Sequence, residues 1–290
     1  MKFYLTLFGF PTLHYAPAVR AAEGAGFEGI WLAEHLVTPT NFAKVYPYSA
    51  SGDPGYRGDT PLADVWVTIG HLAAVTNRIK LASGVYSLPL RNPFATAKAV
   101  ATAQELANGR VMLGVGTGWM QEEFDAVGQA YKGRGARTDE IIEIMRKLWS
   151  GKPVSHSGTW FSFDEVQMSP APSPPPPIVI GGVSNAALAR AVRFGDAWYG
   201  PSCSLEESAK YRDEILRRLS DAGRGGTSFD FYVRLNEQVS RESLSRANEF
   251  GFEHLVIPLS SSLSRLEEKS DRILRLGEQI AEATASLHVN

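Results

Sequence analysis

The sequence predicts a single domain over residues 1–290 with the fold of a (β/α)8 TIM barrel. Three observations carry this reading. Eight short, mostly apolar runs alternate with stretches of helical period, which is how parallel strands buried on both faces and their crossover helices look in sequence. Five of the runs lead straight into glycine, at Gly9, Gly84, Gly116, Gly181 and Gly200, and a barrel builds its site from the turns at its strands' C-terminal ends. The 290 residues are 44% hydrophobic and 21% charged, enough for one large core. A doubly wound open sheet is the runner-up, but Gly114-x-Gly116-x-Gly118 lacks the spacing of its dinucleotide fingerprint.

The elements follow in order. Phe3 to Phe8 reads as the first strand, and a helix with Ala18, Ala21, Ala22 and Ala25 ends at Gly26. Gly29 to Ala33 is the second strand, with Glu34 and His35 at its end. From Leu36 to Thr60 no period is visible, and a loop of that length in a compact domain is functional or disordered. Its rings Phe42, Tyr46, Tyr48 and Tyr56 favour a folded lid inserted after strand two. Leu62, Val65, Ile69 and Leu72 mark the next helix. Ile79 to Ser83 is the third strand, Asn92 with Pro93 opens a helix, and Asn108-Gly109 closes it. Val111 to Val115 is the fourth strand. Ile141, Met145 and Leu148 signal a helix behind Thr138-Asp139-Glu140, and 154–168 reads as a hairpin inserted before strand five. Pro170 to Pro177 is a stiff spacer. Strands five to eight are Ile178 to Ile180, Ala197 to Tyr199, Phe229 to Leu235 and His254 to Leu259. Helices fall between them, the first capped by Ser184, and the last helix opens on Ser264-x-x-Glu267 and turns Leu266, Ile273, Leu276 and Ile280 inward.

A net charge of −2 without long runs of one sign argues against a nucleic-acid or anionic-membrane partner. No stretch has transmembrane length, and the apolar start reads as a strand rather than a targeting segment. Cys203 is the single cysteine, so no disulfide framework exists and a reducing cytoplasm is expected.

The strand-end rule selects Phe8, Glu34, His35, Gly84, Val85, Gly116 to Trp119, Gly181 to Ser184, Tyr199-Gly200 and Leu235-Asn236. Glycine admits close approach of a ligand to the backbone, and a wall of glycines and rings suits a flat ligand. Gly181-Gly182-Val183-Ser184, ahead of a helix, is either a plain turn or a phosphate cradle. His35 is the one histidine at a strand's C-terminal end, where it could handle a proton near neutral pH. His14, His71, His156, His254 and His288 lie elsewhere, without metal-ligand spacing, so no metal is expected. No lysine stands at a C-terminal strand end, which counts against Schiff-base chemistry.

The chain resembles the bacterial-luciferase-like superfamily of flavin- or deazaflavin-dependent oxidoreductases over nearly its whole length. The resemblance rests on Gly29-Ile30-Trp31 leading to Glu34-His35, Arg78 to Leu81 with Gly84-Val85 and Arg91-Asn92-Pro93, and Gly109-Arg110. It continues through Leu113 to Trp119 with Glu122-Glu123-Phe124, Gly158 to Phe163, and Ile180-Gly181-Gly182 through Gly195 to Trp198. The group it is most similar to uses the deazaflavin coenzyme F420. The resemblance implies a non-proline cis peptide at Gly84–Val85 bulging against the cofactor ring, with Thr117 and Trp119 lining ring or tail and Gly181, Gly182, Val183 and Ser184 holding the phosphate. It gives His35 the proton-handling role, and Trp66, Tyr86 and Trp119, with the lid, a substrate pocket. It further implies a homodimer and an enzyme acting on a small molecule. Three functions fit: an F420-dependent oxidoreductase moving a hydride, a reduced-FMN monooxygenase using O2, and a non-enzymatic flavin-binding barrel. Lys44, Arg57 and Arg91 are either a basic groove for the F420 tail or ordinary solvated charges.

Overall fold

Eight parallel strands close on themselves in the computed structural model, which describes residues 1–259 and 266–285. The barrel strands are β1 (Lys2–Leu7), β2 (Gly29–Leu32), β3 (Lys80–Ser83), β5 (Val111–Gly116), β8 (Ile178–Gly181), β9 (Ala197–Gly200), β10 (Asp230–Arg234) and β11 (His254–Leu259). Each pairs in parallel with its neighbours, and the β1–β11 and β3–β5 ladders complete the ring. The two-residue strand β4 (Tyr86–Ser87) extends the sheet beside β5, and sequence reading missed it because two residues carry no period. An antiparallel hairpin, β6 (Val154–Ser157) with β7 (Ser162–Val166), stands ahead of the fifth barrel strand.

The helices are α1 (Tyr15–Gly24), α2 (Val65–Val75), α3 (Pro93–Leu106), α4 (Gln121–Ala126), α5 (Arg134–Trp149), α6 (Asn185–Phe194), α7 (Leu205–Asp221), α8 (Arg241–Glu249) and α9 (Leu266–Ala285). Local chemistry sets their ends. Asn92 accepts from the N–H groups of Phe94 and Ala95 at the start of α3, with Pro93 in the first turn. Asn108 and Gly109 then take positive φ at its end, as expected. Leu62 lies outside α2, whose start is fixed by the Asp64 carboxylate on the Trp66 and Val67 amides. Helix α5 begins a turn before Thr138, and the short α4 had no sequence signal beyond its acids. The proposed cap Ser264 lies outside the described residues. In α9, Ile273 and Ile280 are buried, whereas Leu266 and Leu276 are only partly so. The proline run carries cis bonds at Ser169–Pro170 and Ser173–Pro174 and is held to α3, with Gln104 donating to the Pro174 carbonyl.

Two apolar layers result. Inside the barrel lie Tyr4, Trp31, Ala82, Met112, Val179, Tyr199, Tyr232 and Val256. A larger layer fills the space between strands and helices, including Ile30, Leu81, Leu113, Ile141 and Leu255, so alternate strand residues serve the two cores. Among the described residues no helix is long and apolar enough to cross a membrane.

Candidate active site

The C-terminal mouth of the barrel is formed by the turns after β1, β2, β3, β5 and β8. At β3 the Gly84–Val85 peptide bond is cis, as the resemblance implied. The Val85 side chain stands between the ends of β5 and β8. A Cβ at Gly116 would lie 2.7 Å from Val85 Cγ2, and one at Gly181 would lie 3.0 Å from Cγ1. These two glycines therefore make room for the Val85 side chain, a reason that the sequence alone does not show.

Helix α4 holds the residue that sequence reading quoted without assigning a role. Glu123 has a fully buried side chain, and its Oε2 is 2.9 Å from Nδ1 of His35. Its Oε1 accepts from the Leu36 N–H at 2.7 Å and the Val37 N–H at 3.4 Å. A carboxylate only accepts, so Nδ1 carries a proton and Nε2 is the nitrogen free to exchange one. Neighbouring Glu122 accepts from the Ala43 amide at 2.8 Å. The two acids thus fasten residues 36–43 to the turn after β5.

Residues 33–64 contain no helix or strand, and their rings pack over the mouth. Phe42 and Tyr46 meet Trp119, with centroids 6.1 and 5.1 Å away, and Trp119 stands 6.3 Å edge-on from His35. The Tyr56 ring lies 5.5 Å from that of Phe8, and its hydroxyl is 2.6 Å from His35 Nε2. The Trp119 side chain neighbours the same hydroxyl. Burial, reinforced by the Glu123 charge, pushes the Tyr56 phenol's pKa well up. Tyr56 had been named only as a lid ring. The signal that could have flagged Glu123 was an acid in the first turn of a helix following a barrel strand's C-terminal end.

The turn Gly181–Ser184 is held by the Trp198 indole, which donates to the Gly182 carbonyl at 2.8 Å, and Gly182 has a φ of 113° that favours glycine. Ser184 caps α6 through the Ala187 N–H, so its hydroxyl is committed to the helix. The Tyr48 hydroxyl stands beside this turn, 3.2 Å from where a Cβ at Gly182 would lie, and its phenol is pushed up to about 12, chiefly by burial.

Glu34 forms a second buried pair. Its carboxylate meets the Arg91 guanidinium and accepts from the Ser87 N–H at 3.4 Å. Burial raises its pKa against the pull of Arg91. Arg91 lies 4.8 Å over the Tyr86 ring, which packs against Trp66 at 5.4 Å. Trp66 and Tyr86 belong to the layer between strands and helices. Among the described residues no ring contact joins them to Trp119. Thr117 is partly exposed in the turn after β5.

The cations that could form a basic groove are each committed to acids: Lys44 and Arg57 both pair with Asp53 at 2.9 Å, and Arg91 with Glu34. Cys203 is buried, and burial raises its thiol to about 11. A cavity of about 610 Å³ opens on the same face, at the ends of β10 and β11 against α9, lined in part by Asn236, Gln238, Arg272 and Arg275. Among the described residues no group of three or more His, Cys, Asp or Glu side chains could hold a metal ion.

Comparison with known proteins agrees with this architecture. A protein of Mycobacterium tuberculosis with no assigned function is 30% identical over 81% of this chain and 83% of its own. The F420-dependent hydroxymycolic acid dehydrogenase of the same organism is 30% identical over 72% of this chain and 54% of its own. The F420-dependent glucose-6-phosphate dehydrogenase of Nakamurella multipartita is 31% identical over 69% of this chain and 55% of its own. An F420-dependent secondary alcohol dehydrogenase solved with an F420-acetone adduct superposes with a TM-score of 0.78 at 17% identity, covering 98% of this chain and 99% of that one. The monooxygenase RslO1 of Streptomyces bottropensis gives 0.72 at 22% identity, covering 98% and 100%. The family profile for luciferase-like monooxygenases matches residues 11–285. The chain is a member of the luciferase-like monooxygenase family of oxidoreductases.

Proposed function

We propose that this protein is an F420-dependent oxidoreductase that moves a hydride between the deazaflavin and a small organic substrate. The observation that carries the proposal is the buried Glu123 carboxylate on His35 Nδ1, which leaves a single imidazole nitrogen to exchange protons at the barrel mouth. Two relatives named as F420-dependent dehydrogenases support the choice of cofactor. Two features of the mouth support a flat ring with a phosphate-bearing tail. Val85 presents an apolar bulge steadied by the close approach of Gly116 and Gly181. Val183 offers an N–H at the start of α6, where the helix dipole favours an anion. When bound, the deazaflavin accepts or donates a hydride. Val85 would back the ring, Gly182 and Val183 would hold the phosphate, and Phe8 and Trp119 would border them. His35 takes up or supplies the proton that accompanies hydride transfer, and Glu123 opposes the positive charge of the protonated ring. The loop 33–64 excludes water from this exchange.

A reduced-FMN monooxygenase is the second reading, favoured by the likeness to RslO1 in fold. Titrating the purified protein with each cofactor, while following ring absorbance and fluorescence, separates the two. Uptake of deazaflavin without FMN supports the proposal, and the opposite result reverses the order. A protein that binds a flavin yet loses nothing when His35 is removed would be a carrier. Location in the cytoplasm and assembly as a homodimer belong to the same proposal.

A further inference from the structure

We infer that, when the substrate is an alcohol or its carbonyl product, the Tyr56 hydroxyl is the group that meets the substrate oxygen and relays its proton to His35. The inference rests on the proposed function. It starts from the hydrogen-bond capacity of each atom. Glu123 Oε2 fixes the proton of His35 on Nδ1, so the neutral ring offers its Nε2 lone pair, and the Tyr56 O–H, 2.6 Å away, donates to it. Nε2 is therefore already engaged, and a substrate reaches it through the phenol. While it donates to Nε2, the phenolic oxygen keeps its acceptor capacity, which suits a substrate hydroxyl.

Proton and electron accounting closes along this path. The substrate O–H breaks and its proton joins the Tyr56 oxygen, while the Tyr56 O–H breaks and its proton joins Nε2. The hydrogen of the carbinol C–H bond would leave with the bonding pair as hydride, which a bound deazaflavin would accept, and a carbonyl would form. Tyr56 ends as a neutral phenol, so no phenolate is created in a setting where burial and the Glu123 charge oppose one. The resulting imidazolium faces the Glu123 carboxylate. Carbonyl reduction runs the same transfers backwards.

A mere strut would need the Tyr56 ring, which packs on Phe8 and His35, but not the hydroxyl. Tyr56→Phe removes only the latter. In cofactor-free protein labelled at the imidazole nitrogens, NMR should find His35 as the Nδ1–H tautomer. Tyr56→Phe should shift its Nε2 signal toward that of an unbonded lone pair. With deazaflavin and a secondary alcohol, Tyr56→Phe should keep cofactor affinity and KM while lowering kcat by about 10²-fold. The proton inventory, bowed for two protons in flight in the unmodified enzyme, should become linear. An Nε2 signal that stays put, or unmodified kcat with an unchanged inventory, overturns the role of Tyr56. A protein that takes up neither deazaflavin nor FMN defeats the proposed function instead, so the two failures are distinct.

Discussion

The two ends of the barrel carry the same three kinds of side chain. At the mouth, Tyr56, His35 and Glu123 are joined at 2.6 and 2.9 Å. At the floor, the Tyr4 hydroxyl lies 3.1 Å from His254 Nδ1, and His254 Nε2 lies 3.6 Å from Asp230. What separates them is who supplies the residues. The floor trio comes from β1, β10 and β11 themselves, and Tyr4 is wedged edge-on against Tyr232 at 5.1 Å. The mouth trio comes from one loop, which carries both His35 and Tyr56, and from the short helix α4 beyond the end of β5. The floor carboxylate is half exposed, whereas the mouth carboxylate is fully buried and takes two backbone amides as well. Residue type alone thus does not mark a site. Position on the barrel does, because strand-borne groups at the N-terminal end are locked in the core and loop-borne groups at the other end can meet a ligand.

The contrast predicts opposite responses at the two ends. The largest effect is at the mouth: His35→Ala should cut turnover by about 10²–10⁴-fold while leaving cofactor affinity within several-fold. Steady-state kinetics beside a binding titration measure this, and unchanged turnover would erase the distinction between the ends. Glu123→Gln should come next. Its amide can donate to Nδ1 and reverse the tautomer, lowering turnover by about 10²-fold. The weakened acceptor for the Leu36 and Val37 amides should also cost roughly 2 kcal/mol in a denaturant melt. Loss of stability without loss of turnover would make Glu123 a loop anchor alone. At the floor, His254→Phe should destabilise by about 1–3 kcal/mol, through the stranded Tyr4 hydroxyl, and leave turnover intact.

The smallest effect is in acid. The hydrogen bond from His254 holds the Asp230 carboxyl below its usual pKa. A carboxylate so depressed adds stability that is whole above the unfolded value of about 3.9 and fades as pH falls through the folded one. Thermal melts from neutral pH down should show that decline, and Asp230→Asn should flatten part of it. An unaltered slope would remove Asp230 from the account.

Much of the barrel could be read residue by residue because its signals are local. Asn92-Pro93 and Asn108-Gly109 bracket a helix by their own backbone preferences, and Ile178 to Ile180 reads as strand without help from its neighbours. The mouth was legible only in outline. His35 followed from its place at the end of β2, but its partner Glu123 stands 88 positions away, and no local pattern reports a contact made by the fold. Tyr56 sits in a stretch without period, where one aromatic looks like another. The glycines at 116 and 181 stand out in the sequence, but the Val85 side chain that crowds a Cβ at both is brought there by the fold. Lys44, Arg57 and Arg91 looked available until the fold set acids beside them.

The Tyr48 hydroxyl beside the Gly182–Val183 turn would give the proposed function a kinetic consequence. An anion taken up at that turn would contend with a group tethered to the same polypeptide, whose effective concentration is set by the length of loop rather than by the solution. Uptake would then proceed by displacement, and its rate at high ligand concentration would level off at the frequency with which Tyr48 moves aside.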